Sequence, residues 1–183
     1  MKEAEEIWEE KRGDKAEKQT AYEWLNYSGK LTAQNLKQKH LVLYNHSGMN
    51  VVAAYFDRHN QVAPFIVDVK LYYAAFSTRE EADYLPAVLN SETVNTAIKP
   101  FQSVGLLGER DIHKKVLELP IPTYDAENGK HTKIAHLGAQ TRVTSAKAIK
   151  SGDFPIGSSI AVQRGFMREH LKTELEEIDK LVG

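Results

Sequence analysis

Residues able to grip a charged ligand concentrate in one stretch of the 183-residue sequence, between Leu85 and Asp125. Gly105 and Gly108 bracket Leu106 and Leu107, and Arg110, His113, Lys114 and Lys115 follow at once. The glycines open backbone angles closed to other residues. Arg110 stands three and four residues before His113 and Lys114, so one helical turn would set them on a common face. Pro120 and Pro122 then fix their own φ and press the residues before them into extended conformations. A pliant loop, a positive turn and a stiff exit suit an element that reaches into a groove and holds phosphates. The same residue types also make ordinary surface loops.

Other chemistry is harder to assemble. There are no cysteines, which excludes disulfides, thiolate metal sites and cysteine nucleophiles together. Seven histidines invite a metal search. His40 and His46 flank a turn, and His131 and His136 are five apart, a poor spacing for one helix face. No carboxylate joins either pair in a ligand pattern, so no metal site is expected. Serine, histidine and aspartate occur without a nucleophile elbow, and Asp68, at the end of an apolar strand before Lys70, reads as a strand-end ion pair more readily than as a base. The reading expects no catalytic residues and no cofactor.

The elements that must position the basic stretch can be read by period and punctuation. Residues 2–27 read as a helix with a break at Gly13-Asp14; Ile7, Trp8, Ala21, Trp24 and Leu25 form its apolar stripe. Short strands are expected over 30–36, 41–44, 51–56, 65–68 and 71–76, separated by turn chemistry such as Asn45-His46-Ser47-Gly48. Ser77-Thr78 caps a helix over 78–89, and Asn90-Ser91 starts a second carrying Val94, Ala97 and Ile98. Helices are expected over 129–150 and 158–181, joined by a linker at 151–157. The implied class is α+β: a small curled antiparallel sheet packed by helices, with helical N- and C-terminal extensions. The expected division is 1–29, an N-terminal helical extension; 30–128, the α+β domain; and 129–183, the C-terminal helices.

Charge is unevenly placed. Residues 1–29 hold five Lys/Arg and eight Asp/Glu, residues 30–157 fifteen and twelve, and residues 158–183 four and five. A mildly basic middle lies between acidic ends, a weak polyanion signal on its own. No apolar run approaches the roughly 18 residues of a membrane helix, and the acidic, polar N-terminus lacks signal-peptide patterning. The expectation is a cytoplasmic protein with no membrane partner.

Three runs resemble a known family in combination. They are FIVDVKLYYAAFSTREEADYLPAVLNSETVNTAIKP (65–100), FQSVGLLGERDIHKKVLELPIPTYD (101–125), and an H-x-x-x-x-H-L-G segment from His131 to Gly138. They resemble the C-terminal target-recognition region of N-6 adenine-specific DNA methyltransferases of restriction-modification systems. The likeness starts near Tyr27-Ser-Gly-Lys-Leu-Thr-Ala-Gln34 and reaches Ile178-Asp-Lys-Leu-Val182. The order of strand, helix, loop and Leu-Pro-Ile-Pro exit is also similar to target-recognition domains of type I restriction specificity subunits. Such methyltransferases carry a glycine-rich cofactor motif and an Asn/Asp-Pro-Pro-Tyr/Phe catalytic motif ahead of this region, and this chain has neither. The resemblance therefore implies a reading head without the chemistry. Lys99, Arg110, His113, Lys114 and Lys115 would hold double-stranded DNA, and Gln102 and Ser103 would approach base edges. A separate methyltransferase subunit is the other partner to expect, docked through the terminal helices.

Overall fold

The structure, a computed structural model, describes residues 2–68, 70–105 and 108–183, with only the backbone of 108 and 109. Its centre is a three-stranded antiparallel sheet in the order β2-β1-β3, built from β1 (His40–Asn45), β2 (Ala53–Asp57) and β3 (Leu71–Phe76). Val42 pairs with Tyr55 on one side and Ala74 on the other. Val42 and Tyr44 point one way along β1 and are buried against helix α3 (Arg79–Leu89), as the period of two requires. Thr78 opens α3 through a reciprocal capping box with Glu81. Ser91 caps α4 (Glu92–Ile98) by accepting from the Val94 amide.

Helix α5 (Gly129–Lys150) packs along α3 and reaches the sheet at Arg142, whose guanidinium lies over the Tyr55 ring at 5.2 Å. Gly138 allows the approach: a Cβ there would stand 2.1 Å from the Asp83 carbonyl oxygen. A buried ion pair locks the crossing, with Arg142 donating from Nε and Nη2 to the two Asp83 carboxylate oxygens at 2.9 and 3.1 Å. Two helices close the layer, α6 (Ile160–His170) and α7 (Lys172–Val182). On α7, Ile178 is fully buried, and Asp179 accepts from the Glu92 amide at the start of α4 at 2.6 Å. Helix α7 is thus packed on the core, whereas α6 buries no residue. Among the described residues no helix is long and apolar enough to cross a membrane.

The α+β class, the small antiparallel sheet and the helical ends agree with the sequence reading. Several elements differ. The helix expected over 2–27 does break at Gly13-Asp14, as read, but the break is wider than two residues: α1 (Lys2–Lys11) ends before it, and α2 (Ala21–Leu25) starts only at a Thr20–Glu23 capping box. Residues 30–36 form turns instead of a strand: Ser28 and Gly29 adopt positive φ, and the Asn26 side chain accepts from the Leu31 and Thr32 amides. Segment 65–68 joins no ladder. The buried Gln34 amide substitutes for a strand partner, accepting from Val67 N at 2.9 Å and donating to Val67 O at 2.7 Å. The final helix breaks at Leu171, where ψ rises to 7°.

A candidate nucleic-acid interface at one end of the sheet

The turn between β1 and β2 is ordered from several sides. Asn45 donates to the Ser47 and Asn50 carbonyls and accepts from the Val52 amide, closing the loop on itself. Asn95 and Asn90 accept from the Val51 and Ala53 amides at 2.7 and 2.9 Å, tying it to α4 and the end of α3. Buried backbone amides need such partners, and asparagine side chains supply them without a strand. This fixed loop is the template for the basic stretch.

That stretch comes back as a short hairpin, β4 (Val104–Gly105) against β5 (Gly108–Glu109). Leu106 and Leu107 lie outside the described residues. Past the hairpin the chain zips onto the 46–48 loop: Gly48 N donates to Arg110 O at 2.7 Å, and the Ile112 and His113 amides donate to His46 O at 3.2 and 2.9 Å. Ile112 and Val116 are fully buried and anchor the run to the core. The basic residues sit in an extended bridge and a 3-10 turn (Lys115–Glu118), so the expected helical turn sharing one face is absent. The zipper takes the amides that a helix would have used. Gly105 serves space more than angle, since the Arg110 side chain lies where its Cβ would be, with Nε 2.2 Å from that point.

All seven expected site residues fall within this one assembly, but they divide in role. Arg110 and Lys114 are exposed on the ledge. Lys99 and Lys115 turn inward, donating to the carbonyls of Met49 and Phe101, with Asn50 Oδ1 3.2 Å from the Lys99 ammonium. They strap the loops together with their charge still at the surface. Gln102 is only 6% exposed, and its Nε2 donates to Gly48 O at 2.9 Å, while its buried Oε1 has no partner. A buried amide is not placed to meet a base edge, so the base-approaching role read for Gln102 gives way to a latch between the two loops. Ser103 is exposed, its hydroxyl donating to Asp111.

The assembly adds residues that motif reading did not select. His46 and Lys70 come from distant parts of the chain, with His46 N donating to Lys70 O at 3.1 Å. The His46 ring stacks on Tyr72 at 5.6 Å and meets His113 edge-on, the centroids 3.9 Å apart. His113 Nε2 lies 3.4 Å from Asp111 Oδ1. His113 holds a positive φ of 44°, a conformation histidine visits more readily than most side chains. Desolvation, then the neighbouring His113 and Lys70, press the His46 imidazole below its ordinary range, against an opposing pull from Asp111. The Ser103 hydrogen bond leads in holding the Asp111 carboxyl below the usual carboxylate value. The only sequence signal for these additions was the Asn-His-Ser-Gly turn itself.

Ser103 donates to the Asp111 carboxylate. Among the described residues no group of three or more His, Cys, Asp or Glu is placed to hold a metal ion. A surface groove lies elsewhere, between α5 and α7, lined by Leu137, Val143, Thr144 and Glu174. Site and fold together define an α+β scaffold presenting a rigid, cation-bearing ledge at one sheet end. Comparison with family models, with curated proteins and with solved structures finds no match to this chain.

Proposed function

We propose that this chain is a non-catalytic DNA-recognition module, acting in the cytoplasm as the target-reading part of an adenine methyltransferase of the restriction-modification type. One observation carries the reading: two loops far apart in sequence are zipped into a single ledge whose outward cations are Lys70, Arg110 and Lys114. A pre-ordered ledge loses little entropy on docking. Phosphate contacts from those three set the register, and the hairpin and Ser103 meet the groove. The family resemblance supplies the remaining context, in which the target base is flipped into a partner's pocket.

The test is titration of duplex DNA at 50 and 200 mM salt. Three phosphate contacts give a slope near −2.7 in log K against log salt, or about a 40-fold loss of affinity over that range. Binding without a salt slope rules out phosphate gripping by the ledge.

A second reading, docking onto a separate methyltransferase subunit, has its own observation. Trp8 and Trp24 pack on each other at 6.2 Å and tie α1 to α2, while Tyr22, Trp24, Leu25 and Tyr27 stay at least half exposed. Exposed aromatic clusters of this kind are common at protein interfaces. Size-exclusion chromatography of the chain mixed with an adenine methyltransferase that lacks its own target-recognition region separates the readings. Co-elution lost on Trp24→Ala supports docking, and separate elution removes it.

A further inference from the structure

We propose that docking of a DNA phosphate on this ledge draws a proton onto the His46–His113 pair, so that DNA binding is proton-linked. The inference rests on the DNA-recognition reading and concerns its regulation. The pair is built into the joint between the two loops: the His46 carbonyl accepts from the Ile112 and His113 amides, and the two rings touch edge-on at 3.9 Å. The groups facing them come from every neighbouring element. Tyr72 of β3 lies against the His46 ring and Lys70 stands at the start of β3; Asp111 sits 3.4 Å from His113 Nε2; Arg110, Lys114 and Lys115 flank the turn. Asp111 is the carboxylate whose charge bears on His46, and it is already engaged by Ser103.

Two imidazolium charges about 4 Å apart repel each other. One compensating carboxylate among several cations therefore leaves the free protein with its His46 ring neutral near pH 7, in the direction that burial also favours. A phosphate on the ledge adds the missing negative charge. The charged imidazole becomes favourable, and a proton enters from solvent to one ring nitrogen. It then stands as a further donor towards the phosphate oxygens. Uptake of one proton makes affinity rise by at most about tenfold per unit fall in pH, between the bound-state and free-state imidazole values.

The experiment is calorimetric titration of the full chain with a duplex at pH 6.5, in two buffers of different ionisation enthalpy, which counts protons directly. Uptake of close to one proton is expected for the unmodified chain, falling towards zero in His46→Gln and in His113→Asn, the latter chosen because asparagine tolerates the positive φ. Binding without proton uptake, or uptake unchanged in both variants, overturns the inference while leaving the DNA-recognition reading intact. Uptake unchanged in the variants would place the proton on His40, His59, His131, His136 or His170. Absence of binding at every pH sinks both. Should either variant fail to fold, ring-proton NMR of the unmodified chain decides: the His46 midpoint must rise on adding DNA, and a static or falling midpoint refutes the linkage.

Discussion

Replacing Gly138 by alanine should destabilise the protein, although the same change elsewhere in its helices should not. Gly138 sits on α5 where it crosses α3, and an added Cβ would lie 2.1 Å from the Asp83 carbonyl oxygen, 3.0 Å from its carbon and 3.2 Å from Ala87 Cβ. Comfortable contact is about 3.5 Å, so the helices must part by more than an ångström. The nearest atoms are backbone, and the Asp83–Arg142 ion pair holds the crossing beside them. Overpacking of this kind costs about 1–3 kcal/mol, and this clash belongs at the upper end. Alanine recovers about 1 kcal/mol through helix propensity, leaving a net loss near 2 kcal/mol. For a domain of this size that is a fall in Tm of about 4–8 °C. Gly165, on α6, has nothing within 4 Å of its would-be Cβ. Gly165→Ala should therefore raise Tm by about 2–4 °C through propensity alone. Scanning calorimetry of both variants checks the reasoning. A neutral or stabilising Gly138→Ala would show that α5 does not need this close crossing.

Arg142→Ala leaves the buried Asp83 carboxylate with only Arg79 nearby, at 3.7 Å. Chemical denaturation should report a loss of about 2–4 kcal/mol, whereas Arg79→Ala, at an exposed guanidinium, should cost under about 1 kcal/mol. Gln102→Ala removes the latch on Gly48; hydrogen exchange of the Gly48 and His113 amides should quicken while amides of α3 stay protected. Joint replacement of Lys70, Arg110 and Lys114 by glutamine should flatten the salt dependence of DNA binding to a slope shallower than about −1, and an unchanged slope places the contacts elsewhere. Asp111 is held low chiefly by Ser103, so its contribution to stability is present above the ordinary carboxylate value and is lost as pH falls through the depressed one. Ser103→Ala should move the Asp111 midpoint upward in a carbon-detected carboxyl titration, and a static midpoint refutes the assignment.

Local signals determined the helices with strong punctuation. Thr78 with Glu81, Ser91 before Val94, and the run from Gly129 to Lys150 all carry their caps and periods within the segment, so α3, α4 and α5 were legible. The strands 40–45, 53–57 and 71–76 were legible, as 41–44, 51–56 and 71–76, because short apolar, β-branched and aromatic runs between turn residues are written locally. What escaped depended on distant partners. Val67 reads as strand, yet its backbone groups are met by the Gln34 side chain, 33 residues away. Residues 110–115 read as a helical turn, yet their amides and carbonyls zip onto the 46–48 loop. The candidate site divides the same way. Its basic residues could be picked by type and spacing, but the sequence carried no sign that Gln102 would be buried as a latch. Nor did it show that Lys99 and Lys115 would turn inward, or that His46 would touch His113. Hydrogen-bond demand is local to each amide, but which group satisfies it is decided only when the whole chain has closed.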